Sequence, residues 1–136
     1  MFSFLQRIYI KIGTMKHFHH KIAEAYDRKF KELGPVPEAS LWYSKSRQIL
    51  RFRIITDQFL SYNSGKLLRI GDIGCGYGAY FTFLSSLYPK NFNHYYGFDI
   101  SSELIDYCRE RLSHIKCPRT IDFRKELPRH PTGKLY

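Results

Sequence analysis

The sequence predicts an α/β fold in which helices cover a parallel sheet, and three observations carry this prediction. Apolar residues recur at helical spacing in the first half of the chain, which indicates amphipathic helices. In the second half, short apolar runs alternate with further helical patterns, and the order β-α-β-α-β predicts parallel strands joined by right-handed crossovers. The first of these runs leads into Gly74, Gly76 and Gly78, a glycine-rich turn of the kind that lets backbone approach a ligand closely.

The first half of the chain predicts two helices. One covers residues 18–33 and ends at Gly34-Pro35, since this pair stops a helix. Tyr26 belongs to the apolar stripe of this helix, which favours core packing over a role as a lid on a ligand. The second helix is predicted from Ser44 to Tyr62, and the turn signal Asn63-Ser64-Gly65 follows it.

The second half predicts three strands and two helices. Their predicted ranges are a strand at Leu67–Ile73, a helix at Tyr77–Tyr88, a strand at His94–Asp99, a helix that starts at Ser101 or Ser102 and is closed off by Cys117-Pro118, and a strand at Thr120–Phe123. Residues 126–136 are predicted to form a loop. If the strand order is 3-2-1, the first strand lies at an open edge, although its apolar composition is typical of a covered and paired strand.

Two carboxylates stand where such a fold would bind a nucleoside. Asp72 ends the first strand just before the glycines, and Asp99 ends the second strand 21 residues after Gly78. An acidic residue about 20 residues beyond a glycine-rich turn suits the hydroxyls of a ribose. Three structural interpretations stay open: a tight turn without a ligand, Asp99 as a helix cap, and Asp72 as a satisfied carboxylate at a strand end.

Composition limits the class of protein. A length of 136 residues with 43% hydrophobic residues is enough for one domain with a core. The net charge of +10 is compatible with an anionic partner such as nucleic acid, but a basic solvated surface is the simpler interpretation, so nucleic-acid binding is not supported. No apolar run approaches the ~20 residues of a membrane span.

The cysteines and histidines predict neither a disulfide framework nor a metal site. Cys75, Cys108 and Cys117 form no CxxC pair, which favours a reducing compartment and hence the cytoplasm. His19 and its neighbours lack a matched set of ligands, so a solvated cluster is the expected arrangement.

The two motifs resemble those of the class I S-adenosylmethionine-dependent methyltransferases. Residues 72–78 (Asp-Ile-Gly-Cys-Gly-Tyr-Gly) are similar to the first motif of that family, and residues 97–101 (Gly-Phe-Asp-Ile-Ser) to its second. The similarity covers roughly residues 18–125. It implies a Rossmann-like doubly wound parallel sheet with S-adenosyl-L-methionine as the cofactor, and a methyl acceptor that the sequence does not identify.

The resemblance also implies roles for individual residues. Asp72 would help to hold the amino group of the cofactor, Asp99 would accept hydrogen bonds from its ribose, and Ile100 would pack on its adenine. The family often has an acidic or amide residue near the adenine amino group, and Glu126 is the candidate here. Methyl transfer needs mainly alignment, so no catalytic residue is assigned. The full predicted cofactor site consists of Asp72, Gly74, Cys75, Gly76, Gly78, Asp99 and Ile100.

The chain contains fewer predicted strands than members of this family usually have. Such enzymes usually close a seven-stranded sheet, whereas this sequence predicts only its first half. We therefore expect residues 64–136 to form a partial Rossmann-like cofactor-binding domain, truncated after the third strand. Residues 15–63 are expected to form N-terminal helices, and residues 1–14 to be a disordered or spurious extension, because Met15 could be the true start. We also expect self-association through the exposed first strand.

Three functional interpretations remain open. The first is the cofactor-binding part of a methyltransferase, active once the missing half is supplied. The second is a non-catalytic remnant or interaction module. The third is an NAD(P)-binding domain, because residues 74–79 also fit G-x-G-x-x-A. Two residues count against an NAD(P)-binding domain. A pyrophosphate binder usually has an apolar residue at the position of Asp72, and Gly78 is a glycine that the G-x-G-x-x-A pattern does not require.

Overall fold

A computed structural model describes residues 4–112, 114–115, 120–126 and 131, with side chains described from residue 18 onward except at 120 and 121. The elements are α1 (Phe4–Leu33), a 3₁₀ helix (Pro37–Ser40), α2 (Lys45–Tyr62), β1 (Leu68–Ile73), α3 (Ala79–Leu87), β2 (Phe92–Phe98), α4 (Ser102–Leu112) and β3 (Thr120–Arg124). The predicted α/β class is confirmed, and the architecture is consistent with part of a Rossmann-like fold.

The sheet has three parallel strands in the order β1-β2-β3, so β1 lies at an edge, as the sequence predicted. Asp72 is in register with Gly97, and Ile73 with Phe98. Strands β1 and β2 therefore end at the same level. The backbone N–H groups of Gly74 and Cys75 both donate to the Phe98 carbonyl, at 2.7 and 3.0 Å, which fixes the glycine turn beside the end of β2.

Several boundaries differ from the predicted ones. Helix α1 begins at Phe4 rather than at residue 18, and α3 begins at Ala79 rather than Tyr77. The start of α3 is delayed because Gly78 has a φ of 75°, outside the helical region. The predicted helix end at Cys117-Pro118 lies outside the described residues, as does most of the predicted C-terminal loop.

The core lies between the sheet and the helices α3 and α4. Phe81, Tyr95 and Phe123 are buried there with their rings in contact, and the Phe81 and Tyr95 ring centroids are 5.0 Å apart. Helix α2 joins this core mainly through Phe52, whose ring lies 5.0 Å from that of Tyr80. Burial of these aromatic rings holds α2 and α3 next to the glycine turn.

The C-terminal half of α1 packs on α4. The rings of Phe30 and Tyr107 meet edge to face at 5.2 Å. Lys31 forms an ion pair with Glu103 at 2.9 Å, and the Ser101 hydroxyl donates to the carboxylate of Asp27. These contacts bring α1 over the ends of β1 and β2.

Two further findings concern the described residues as a whole. None of their helices combines the length and the apolar character needed to cross a membrane. Nor do three or more of their His, Cys, Asp or Glu side chains come together in a way that would hold a metal ion.

Candidate functional site

The three glycines of the turn have different surroundings. All have positive φ, at 80° for Gly74, 55° for Gly76 and 75° for Gly78. A Cβ at Gly74 would meet nothing within 4 Å, so this residue borders open space. A Cβ at Gly76 would lie 3.1 Å from the Ser40 hydroxyl, and one at Gly78 would lie 2.3 Å from a methyl carbon of Leu112. Gly78 is thus required by packing against α4, whereas Gly74 leaves room for a ligand.

Asp99 closes the floor of the site. One carboxylate oxygen accepts a hydrogen bond from the backbone N–H of Gly76, and the other from that of Ser101, both at 2.9 Å. These two bonds fix the side chain across the gap between the glycine turn and the start of α4. Because each carboxylate oxygen has two lone-pair directions, Asp99 keeps acceptor capacity for a ligand.

A cavity of about 800 Å³ opens above the turn. This volume lies within the range of small-molecule and cofactor pockets. Four of the seven predicted site residues line it, namely Gly74, Gly76, Asp99 and Ile100. The other lining residues come from α1, the segment after it, the strand ends, α4 and the residues after β3: His19, Tyr26, Ser40, Trp42, Ile73, Phe98, Leu104, Lys125 and Glu126.

The remaining three predicted residues do not line this cavity. Asp72 and Cys75 line a second, smaller cavity of about 290 Å³ between α2 and the edge of β1. Gly78 lines neither cavity. The two cavities share Ser40, Trp42, Gly74 and Gly76, so they meet at the glycine turn.

Asp72 lies beneath the turn in a partly buried position. Its Oδ2 atom accepts a hydrogen bond from the Tyr95 hydroxyl at 2.5 Å. Burial raises the pKa of Asp72 above its usual range, the Tyr95 hydrogen bond opposes this rise, and the nearby charge of Asp99 adds to it. Two carboxylates near one turn favour a ligand with positive charge at that end.

Cys75 is a packing residue rather than a nucleophile. The neighbouring Cys108 thiol and burial both raise the pKa of Cys75 well above its usual range, so its thiol stays protonated. The Cys108 thiol lies 3.3 Å from the Gly76 carbonyl oxygen and donates to it. The two cysteines therefore support the turn from below, and both are free thiols.

Sequence reasoning missed the cavity residues that lie far from the glycine turn in the sequence. The helical stripe predicted that Tyr26 packs in the core, but Tyr26 is only partly buried and lines the cavity. Ser40 and Trp42 carry no motif, and the 3₁₀ helix that places them was not predicted. Only tertiary packing of α1 on α4 reveals these residues as part of the site.

The second half of the chain is similar to a known protein family. Residues 70–130 match the family described as "Methyltransferase domain". The match supports a methyltransferase-type domain over this part of the chain. The match includes the glycine turn, Asp99 and β3, so the methyltransferase-type domain contains the floor of the larger cavity, while α1 and the 3₁₀ helix lie outside the matched range.

The chain is also similar to individual proteins. It is 28% identical over 123 residues to the uncharacterized protein MJ0906 of Methanocaldococcus jannaschii, a match that covers 88% of this chain and 31% of that protein. A stretch of 33 residues is 58% identical to the probable acyl-activating enzyme 22 of Arabidopsis thaliana and covers 24% of this chain. A stretch of 32 residues is 53% identical to the peroxisomal benzoate–CoA ligase of the same plant.

The chain spans about a third of the archaeal protein and 6% of each of these plant enzymes. No solved structure matches the chain.

Proposed function

We propose that the chain is the cofactor-binding part of an S-adenosyl-L-methionine-dependent methyltransferase. The observation that carries this proposal is the position of Asp99, which lies at the floor of the larger cavity with its carboxylate fixed beside the Gly76 backbone. The family match over residues 70–130 supports the same reaction class.

The lining of the cavity fits the parts of this cofactor. Ile100 is 49% exposed and, with Leu104, offers an apolar surface for the flat adenine. Asp99 offers acceptors for the two ribose hydroxyls, because its oxygens have unused lone pairs. The open space above Gly74 leaves room for the amino-acid end, and the carboxylates of Asp72 and Asp99 favour the positive charge of a sulfonium and an amino group.

The bound cofactor would supply the methyl group as an electrophile. The chain's own residues bind and orient it: the glycine turn and Asp99 hold it from below, while Tyr26 and Trp42 cover it and reduce the access of water. The methyl acceptor and any proton acceptor are not assigned. The proposal includes a cytoplasmic setting, which the free thiols of Cys75 and Cys108 support.

A non-catalytic interaction module is the second candidate, and one observation favours it. Strand β1 has no partner on its outer side among the described residues, and such an edge is a template for pairing with another chain. The similarity to acyl-activating enzymes supports no third candidate, because 33 residues are too few to form a domain with its own active site.

Titration calorimetry of the purified chain tests the proposal, with S-adenosylhomocysteine as the ligand and NAD as the control. We expect saturable binding of S-adenosylhomocysteine alone. Binding of NAD alone would replace the proposal by a dinucleotide-binding function. Binding of neither ligand by a chain that is folded by circular dichroism would favour the non-catalytic module.

A further inference from the structure

A buried hydroxyl without a hydrogen-bond partner borders the larger cavity. Ser40 is the last residue of the 3₁₀ helix, and its Oγ atom is inaccessible to solvent. No other atom in the described part of the chain forms a hydrogen bond with it. A buried polar group without a partner is unfavourable, so such a group in a folded protein calls for an explanation.

The backbone next to this hydroxyl is also in an unfavourable conformation. Leu41 has φ 60° and ψ 22°, the left-handed region that a leucine rarely adopts. Its backbone N–H donates to the Glu38 carbonyl at 3.1 Å, which closes the 3₁₀ helix in this position. Strained residues of this kind cluster at ligand sites, where surrounding contacts hold them in place. Trp42, which follows, lines both cavities.

The position of Ser40 indicates which part of a bound cofactor it would meet. Ile100, Leu104 and Glu126 line only the larger cavity, whereas Ser40 lines both cavities and approaches Gly76. Ser40 therefore lies on the side of the site nearer to β1, away from the apolar surface assigned to adenine. With adenine at Ile100 and ribose at Asp99, the amino-acid end of the cofactor points toward Ser40.

We infer that the Ser40 hydroxyl donates a hydrogen bond to the carboxylate of the cofactor's amino-acid end. The inference rests on the proposed function and adds a binding residue that lies outside the matched methyltransferase range, in the segment between α1 and α2. A rotation about the Cα–Cβ bond of Ser40 would turn the hydroxyl from its buried position toward the cavity, where the bond would give it its partner. A hydrogen bond to a charged acceptor is stronger than one between neutral groups.

The test compares two ligands and two serine variants by titration calorimetry. S-adenosylhomocysteine contains the amino-acid end, whereas 5′-methylthioadenosine lacks it. Ser40→Ala is the test variant. Ser85→Ala is the matched control, because the Ser85 hydroxyl is also buried without a partner among the described residues but lines neither cavity.

We expect Ser40→Ala to bind S-adenosylhomocysteine about tenfold more weakly and 5′-methylthioadenosine as tightly as the unsubstituted chain. Its melting temperature without ligand should not fall, since an unpaired hydroxyl has been removed. Ser85→Ala should bind both ligands normally.

Each other outcome overturns the inference. Unchanged binding of S-adenosylhomocysteine by Ser40→Ala would exclude the hydrogen bond and leave the proposed function intact. An equal loss for both ligands, or a lowered melting temperature, would assign Ser40 a structural role. Failure of the unsubstituted chain to bind either ligand would overturn the proposed function and this inference with it.

Discussion

In the proposed function, Asp99 combines a structural and a binding role in one carboxylate. It accepts hydrogen bonds from two backbone N–H groups and still faces the cavity. We predict that Asp99→Ala weakens the binding of S-adenosylhomocysteine by about 1–3 kcal/mol, because charge-assisted hydrogen bonds to the ribose are lost. Titration calorimetry measures this, with the exposed Asp57 on α2 as the control in Asp57→Ala. Equal affinity of the two variants would remove Asp99 from the site.

Asp72 should make stability depend on pH. Burial raises its pKa above the ordinary 3.8, so the folded state holds the proton to a higher pH than the unfolded chain does. Between the ordinary and the raised pKa the folded state therefore binds more protons, and the free energy of unfolding falls as the pH rises through that window. Above that pH window, Asp72 is charged in the folded state, and the free energy of unfolding has fallen by the whole cost of burying this charge.

The variant Asp72→Asn removes this charge and keeps an acceptor for the Tyr95 hydroxyl. We predict a higher free energy of unfolding at neutral pH and a weaker dependence on pH in the acidic range. Urea denaturation over a series of pH values measures both, with Asp57→Asn as the control for charge alone. A loss of stability at every pH would show that the charged form is the favoured one.

At the scale of elements, Gly78 sets the distance between α3 and α4. A Cβ added at this position would lie 2.3 Å from a methyl carbon of Leu112. The substituted residue would also have to keep a φ of 75°. We predict that Gly78→Ala lowers the free energy of unfolding by about 2–4 kcal/mol, as the sum of backbone strain and overpacking.

Gly65 is the matched control for that prediction. It has a φ of 79° and open space around it, so Gly65→Ala adds strain without a steric clash. Gly65→Ala should lower the free energy of unfolding by about 1–2 kcal/mol. Chemical denaturation of both variants separates the two effects, and equal costs would mean that α4 moves freely to accommodate the new methyl group.

Ser101 joins α1 to the start of α4. Its hydroxyl oxygen accepts from the Leu104 N–H at 3.1 Å as a helix cap, and its hydroxyl donates to Asp27 on α1. We predict that Ser101→Ala costs about 1–2 kcal/mol of stability, whereas Ser102→Ala, at the exposed next position, costs little. Thermal melts compare the two variants. Equal melting temperatures would mean that α1 is held on α4 without this contact.

The sequence predicted the elements that carry periodic or motif signals. The glycine turn and Asp99 were recognisable because their chemistry depends on local spacing. The 3₁₀ helix was not, since Leu41 adopts a left-handed conformation that its residue type does not favour. The separate role of Gly78 was also hidden, because its partner Leu112 is distant in sequence and meets it only through the packing of α4.

At the scale of the molecule, the exposed edge of β1 borders an apolar groove. The groove lies between β1 and α2 and includes Phe59, which is 47% exposed. We predict that the purified chain self-associates, because an uncovered strand edge beside apolar side chains favours pairing with a second chain. Light scattering over a range of protein concentrations measures the mass.

Two lysine variants locate the contact. Phe59→Lys places a charge in the groove and should reduce association. Phe18→Lys replaces a phenylalanine on α1 that is 60% exposed and lies away from the groove, and it should leave association unchanged. A monomer at all concentrations, together with a cooperative melt, would contradict the prediction.

The arrangement of α1 over the sheet could be predicted only in part. The helix itself was expected from its apolar stripe, but that stripe does not indicate which of its residues face a cavity. Tyr26 lines the cavity because two nearby contacts hold α1 on α4. The next residue, Asp27, accepts a hydrogen bond from Ser101, and Phe30, one helical turn later, packs on Tyr107. Such contacts depend on the final packing of distant elements and leave no periodic signal in the sequence.

The central claim is that the cavity above the glycine turn binds the cofactor, and an amide NMR titration with S-adenosylhomocysteine tests it most directly. The account predicts saturable shifts at the amides of Gly74, Gly76, Asp99 and Ile100, with those of Gly34 and Gly65 unmoved, since these two glycines lie in turns away from the cavity. Absent shifts at the glycine turn, or shifts confined to another surface, would contradict it.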